Sequence, residues 1–406
     1  MKKVKLSDVC DISSGGTPSR NNPEYFKGDI PWAKISDIEN ADNGVVYATE
    51  EHISIDGLKN IRGKLFPKGT LLFAMYGSIG KVGISGRELS TNQAILGIRP
   101  RRDDEINLHY LKTWFASNKQ KLINQGRGVA LKNLSATIVR DLEIELPHID
   151  DQIRIAHLLG KVEGLIAQRK KHLQQLDDLL KSVFLKMFGD PVRNEKGWDT
   201  LPFHKVGKFI SGGTPSKSRD DFWVGAFPWV SPKDMKVTKI DNATDHISEA
   251  VFEETSLKRI APGHVLIVVR GMILAHSFPV AINTVEIAIN QDMKAINPAK
   301  GMNVVYLQNC LTSLKRQILK LISTAGHGTR KFDFVAMQKL FIPKPPEGLQ
   351  NQFAAITEKV EALKSHYQQS LTDLEVLYGA LSQQAFKGEL NLSRTPAAQY
   401  GIAFND

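Results

Sequence analysis

The stretch that decides the architecture is QIRIAHLLGKVEGLIAQRKKHLQQLDDLLKSVFLKM, Gln152 to Met187. Ile155, Leu158, Val162, Leu165, Arg169, Leu173, Leu176, Leu180, Val183 and Met187 follow one another at intervals of 3, 4, 3, 4, 4, 3, 4, 3 and 4. That is a heptad seam with one stutter, the second interval of four after Arg169. The pattern returns 198 residues later. Phe353, Ile356, Val360, Leu363, Tyr367, Leu371, Leu374, Tyr378, Leu381 and Ala385 repeat every interval, stutter included. Each run predicts a helix roughly 50 to 55 Å long. No proline interrupts either run, and Gly189 and Gly388 stand where a helix stop is expected. Two separate core helices would also show this periodicity, but the shared stutter favours pairing along the seams.

Working outward, the sequence between these runs is duplicated too. Ile12-Ser13-Ser14-Gly15-Gly16-Thr17-Pro18-Ser19 is followed by Pro31-Trp32 and Asp37. Ile210-Ser211-Gly212-Gly213-Thr214-Pro215-Ser216 is followed by Pro228-Trp229 and Asp234. Asn92-Gln93 answers Asn290-Gln291, Tyr110-Leu111 answers Tyr306-Leu307, and Gly126-Arg127-Gly128 answers Gly326-His327-Gly328. The chain is one unit of about 198 residues written twice, with insertions falling in loops.

Each globular part reads as mixed α and β. Gly69–Ala74 and Val265–Val269 read as strands, as do Leu142–Leu146 and Leu340–Ile342. Asn107–Asn124 and Asn303–Leu321 read as amphipathic helices. The expected division is a globular domain over 1–150, a long helix over 151–189, a linker and second globular domain over 190–346, a second long helix over 347–390 and a tail over 391–406. The fold class is α+β, with an internal pseudo-twofold repeat and antiparallel helices between the globular parts.

A chain of 406 residues, 42% hydrophobic and 24% charged, has the composition of a soluble globular protein with more than one core. No apolar run is long enough to span a membrane, and Met-Lys-Lys-Val-Lys-Leu leads directly into polar sequence, so a cytoplasmic location is expected. Cys10 and Cys310 do not occupy matching places, which argues against a disulfide framework or a zinc site. The net charge of +10 suits a polyanionic partner, though a generally basic protein would show it too.

The order of Ser-Gly-Gly-Thr-Pro-Ser and Pro-Trp, the Gly189-Asp190-Pro191 linker ending in Gly197-Trp198, and the two seamed helices resembles the specificity subunit of type I restriction–modification systems. The resemblance spans about residues 4 to 390. It implies two target recognition domains, each reading one half of an asymmetric bipartite DNA sequence. It further implies that the helices set the gap and dock two methyltransferase subunits, with restriction subunits joining through the assembled methylase. The chain itself would be non-catalytic. S-adenosylmethionine, ATP and magnesium are then expected on partner subunits, and no cofactor or metal on this chain. Two other readings stand beside it: the recognition subunit of a combined methylase–nuclease, and a coiled-coil scaffold without sequence-specific DNA binding.

No catalytic motif competes with this reading. Asn22-Pro23-Glu24-Tyr25 only partly imitates an amino-methyltransferase loop and does not recur in the second copy. Gly77-Ser78-Ile79-Gly80-Lys81 lacks the spacing of a phosphate-binding loop. The DNA-contact candidates fall in loops. Gly15, Gly16, Thr17 and Ser19, with Arg20, and Gly212, Gly213, Thr214 and Ser216, with Lys217, can bring backbone N–H groups and hydroxyls to an anion. A tight structural turn explains those loops as well. Tyr76, Ser78 and Lys81 lie on a loop between strands, matched by Arg270, a residue suited to a guanine edge. Arg127 and Lys132, and His327, Arg330 and Lys331, form basic loops. Residues that differ between the copies are the expected base readers, and shared ones are expected to hold phosphates or the fold. Arg169 and Tyr367 mark the stutter, and Lys170, Lys171, Gln174, Asp177 and Asp178 face outward, as do Gln368, Gln369, Asp373 and Glu375.

Overall fold

A computed structural model describes residues 1–392, apart from 42–43, 78, 126–132 and 325–327. It resolves into two compact units: residues 1–170 with the chain from 369 onward, and residues 171–368. The two are built on one plan. In the first unit a five-stranded sheet runs in the order Cys10–Ser14, Ile95–Pro100, Leu71–Ala74, Val82–Ser85, Val45–Val46. In the second unit the order is Gly207–Ser211, Met293–Pro298, Val265–Val268, Val280–Asn283, Lys239–Ile240. Both sheets are antiparallel except at the last pair. A three-stranded sheet accompanies each, centred on Ile30–Ala33 and on Phe227–Val230.

The central strand of the first unit shows why these residues fold this way. Side chains alternate across a strand. Leu71 and Phe73 enter a core with Leu111, Trp114 and Phe115, while Leu72 enters the opposite one with Ala33, Ile38 and Phe66. A run buried on both faces must be apolar throughout, as Leu71–Ala74 and Val265–Val268 are. Each expected amphipathic helix is instead two helices, Leu108–Ser117 with Lys119–Gln125 and Val304–Ser313 with Lys315–Leu321. In the first, the Asn118 side-chain amide donates to Trp114 O at 2.9 Å and takes the place of the next turn. The break lets Leu122 join Leu111 and Phe115 in one core.

The long helices run Ile149–Phe188 and Glu347–Lys387, each stopped by a glycine at positive φ, Gly189 and Gly388. Within the first unit, Ile155, Ala156 and Leu159 pack with Leu381 and Ala385. There Tyr378 donates to Glu163 at 2.6 Å and Arg169 to Ser370 at 3.0 Å, so residue numbers fall on one helix as they rise on the other. Within the second unit, Leu176 and Leu180 pack with Val360 and Ile356, Lys364 pairs with Asp177 at 2.8 Å, and the His172 and Tyr367 rings lie 5.3 Å apart. The pairing is antiparallel in each. Phe353 instead joins Phe184, Phe188 and Tyr306 in the core of the second unit.

Two seam positions need correction: Leu165 and Leu363 are 45% and 42% exposed. Both precede the stutter. Each step of four advances about 400° at 3.6 residues per turn, so two in succession carry the apolar line about 80° around the helix. Leu159, outside the expected seam, is fully buried.

A glutamine bolts each long helix to its globular part. Gln152 accepts from Asn107 N–H and donates to Glu105 O and Pro147 O. Gln350 accepts from Asn303 N–H and donates to Gly301 O and Pro345 O. Both side chains are fully buried, so these bonds satisfy amides that would otherwise be costly to bury.

Candidate nucleic-acid interface

The Gly-Gly-Thr-Pro-Ser loops are scaffold at their glycines. A Cβ on Gly15 would lie 2.3 Å from Thr91 O, and one on Gly212 would lie 2.1 Å from Ile289 O. Trp32 Nε1 donates to Gly16 O at 2.9 Å, and Trp229 Nε1 to Gly213 O at 3.0 Å. Thr17 donates to Gln93, and Thr214 to Gln291. Asn92 and Asn290 cap the same turns, each accepting from the backbone two residues on. Gly212→Ala is therefore expected to destabilise the second unit by about 1–3 kcal/mol through overpacking. Gly213→Ala, whose Cβ meets only Leu257 Cδ1 at 3.4 Å, is expected to stay within about 0.5 kcal/mol. Denaturant unfolding of the two variants checks this.

Arg20 is held within the fold. It pairs with Glu51 at 2.8 Å, and its guanidinium lies 4.1 Å from the centre of the Phe26 ring. This neighbour, helped by Lys34, holds the Glu51 carboxyl below its ordinary value. In the second unit Arg219 packs over Phe222 and pairs with Asp221 and Glu254. Lys217 is exposed and makes no ion pair among the described residues. Ser19 N–H donates to Asn60 Oδ1, and Ser216 shares a hydroxyl contact with Ser218.

The remaining candidates gather at the same end of each five-stranded sheet. Gly15 N–H donates to Ile95 O, and Met75 N–H to Ala94 O, which sets the Thr17 loop beside the turn leading to Tyr76 and Lys81. Leu134 N–H donates to Met75 O at 3.1 Å and brings in the segment after residue 132. Tyr76, Asn133 and Ser135 line a cavity of about 450 Å³ there. In the second unit Phe332 N–H donates to Val269 O and Gly271 N–H to Arg330 O, so Arg270, Arg330 and Lys331 converge. Arg330 donates to Thr324 at 2.8 Å, while Lys81 and Lys331 are exposed without an ion pair among the described residues. Ser78, Arg127, Lys132 and His327 lie outside the described residues.

Further cations stand at this end that the sequence did not single out. Lys64 donates to Ser14 O at 2.7 Å, and Lys294 to Ser211 at 2.9 Å. The stem of Lys119 lies against Gly80. None carries a motif, because each reaches the loops only through tertiary packing.

What this arrangement can do is bind. Asn22 of the imitation loop caps a short turn, accepting from Glu24 N–H at 3.2 Å. Among the described residues no group of three or more His, Cys, Asp or Glu could hold a metal ion. Cys10 and Cys310 are buried and form no disulfide, and burial pushes both thiols up to about 12, so neither is a thiolate at neutral pH. Among the described residues no helix is long and apolar enough to cross a membrane.

Against known proteins, the family described as the type I restriction modification DNA specificity domain matches twice, over residues 1–177 and 195–375. The specificity subunit of the type I restriction enzyme MjaIX of Methanocaldococcus jannaschii is 24% identical over 407 residues, 96% of this chain and 93% of its own. That of EcoR124I/EcoR124II from Escherichia coli is 32% identical over 228 residues, 54% of each chain. Among solved structures, the S subunit of a type I system from M. genitalium superposes with a TM-score of 0.57 at 16% identity, covering 95% of this chain and 96% of that one. A chain from a study of complex assembly and conformational transition in the type I system gives 0.56 at 19% identity, covering 96% and 98%.

Proposed function

The chain belongs to the family of type I restriction–modification DNA specificity subunits, and from that membership we propose that each recognition domain reads one half of a bipartite, asymmetric DNA target. A subunit of this family recognises DNA and performs no catalysis itself. The observation that carries the half-site reading is the loop cluster repeated at one end of each sheet. Its framework is shared, in the buried Trp32 and Trp229 and in the exposed Thr17–Gln93 and Thr214–Gln291 pairs, while other exposed members differ, as in Tyr76 and Arg270. Shared residues hold loops and phosphates, and differing ones read bases. Lys81, Lys217, Arg330 and Lys331 supply the charge that positions the duplex, with Thr17, Ser19, Thr214 and Ser216 beside them. The globular limits are residues 1–150 and 190–346.

The long helices set the gap and dock two methyltransferase subunits. Many of the outward charges are spoken for: Lys170 pairs with Glu375, Asp177 with Lys364, Gln174 with Asp178 and Gln369 with Asp373. The exposed leucines Leu165 and Leu363, and Leu179 and Leu377, recur 198 residues apart and offer matched apolar contacts to two copies of one partner. Restriction subunits join through the methylase. The chemistry, with its S-adenosylmethionine, ATP and magnesium, belongs to those partners, in the cytoplasm.

The test is a genome-wide map of methylated adenines in source cells with and without this chain. Loss of methylation from one gapped, asymmetric motif is expected. If the map is unchanged while the chain is expressed and bound to methyltransferase subunits, the reading fails.

A further inference from the structure

Backbone hydrogen bonds align the two loop clusters residue by residue. Met75 N–H donates to Ala94 O at 2.8 Å, and Val269 N–H to Asp292 O at 2.8 Å. These bonds match Tyr76 with Arg270 and Ala94 with Asp292. Both members of the pair change together: tyrosine with alanine in one unit, arginine with aspartate in the other.

The second pair is a built device. Arg270 Nε donates to Asp292 Oδ1 at 2.5 Å. Its other guanidinium nitrogens make no hydrogen bond to the described residues. The side chain is 48% exposed, so that free edge faces outward. Arg270 also bridges Lys331 in antiparallel fashion, and Gly271, at φ +135°, donates to Arg330 O at 3.0 Å. The loop is thus tied down on both sides, and two more cations flank it.

We infer that Arg270, oriented by Asp292, reads a guanine in the half-site of the second unit. This rests on the recognition reading above and names its chemistry at one position. A guanidinium fixed through Nε presents its remaining N–H groups as a fork. In the major groove only guanine offers two acceptors, O6 and N7, to such a fork. The adjacent carboxylate also argues against a phosphate contact, because it repels an anion but not a neutral base edge. Asp292 is a positioning residue, acting through Arg270. Tyr76 has one hydroxyl and Ala94 no polar side chain, so the first unit cannot make this contact at the matching position.

The test uses the full chain assembled with its methyltransferase subunits, methylating a set of duplexes that carry each base at each target position. R270A and the paired R270Y/D292A are expected to lose about 5- to 150-fold discrimination for guanine at one position of one half-site, the span of a good bidentate contact. R270K and D292N are expected to retain a reduced preference for guanine, and the other half-site stays as it was. Copurification of the methyltransferase with each variant establishes assembly. The inference is overturned if assembled variants slow methylation equally for all four bases, if discrimination is unchanged, or if the half-site of the second unit holds no G·C pair. Methylation by the unaltered complex with no sequence preference would instead overturn the recognition reading itself.

Discussion

Replacing residues 1–150 with the equivalent segment of another family member is expected to change one half of the methylated motif and leave the other half intact. The segment closes on itself, since Lys2–Lys5 pairs with Glu143–Leu146 just before the first long helix begins. Its attachment to the helix is largely blind to sequence. Gln152 bonds only main-chain groups of the domain, Asn107 N–H, Glu105 O and Pro147 O. A foreign domain with the same backbone would meet the same glutamine. Among the described residues the sequence-dependent contacts include Tyr110, packed with Ile155, Ala156, Leu159, Ala385 and Phe386, and Ser117 with Tyr378 and Ser382. The graft should keep those positions. Specific sites are bound about 10³- to 10⁷-fold more tightly than random DNA, so methylation should leave the old half-site almost completely. A map of methylated adenines reads the result. A change in both halves, or in neither, would contradict the division of labour between the domains.

The features legible in the sequence were those written as periodicity or duplication. Ten seam positions, apolar in the first helix except at Arg169, with one shared irregularity predicted both long helices, and the repeated Gly-Gly-Thr-Pro-Ser loops located both copies. Central strands such as Val265–Val268 were readable because burial on both faces leaves no polar position. What escaped notice depends on contacts between distant residues. Glycine serves a phosphate or a tight turn equally well, and only the carbonyl of Ile289 against Gly212 decides for the turn. Leu165 and Leu363 looked like seam, because a list of spacings does not display the accumulated rotation of a stutter. Gln152 was only the first letter of a helix until its amide met three backbone groups. Asp292 lies 22 residues from Arg270, and no local pattern joins them.

Deleting one heptad from each long helix, residues 173–179 together with 371–377, is expected to narrow the gap between the half-sites without altering either half. Seven residues at 1.5 Å each shorten a helix by about 10.5 Å, the length of about three base pairs at 3.4 Å. A deletion of seven keeps the seam in phase, because Leu180 and Tyr378 then follow Arg169 and Tyr367 at the same interval of four that Leu173 and Leu371 held. Matching the deletions matters, since the helices run antiparallel within each unit and each segment needs its partner's apolar positions opposite. Removing residues 173–179 alone should set Leu180 against the wrong turn of its partner and destabilise the pairing. Lost ion pairs, Asp177 with Lys364 and Lys170 with Glu375, should cost little, because each has an exposed member. Methylation mapping gives the gap directly. A gap that stays the same in an assembled double-deletion complex would mean that the methyltransferase subunits, and not these helices, fix the distance between the half-sites.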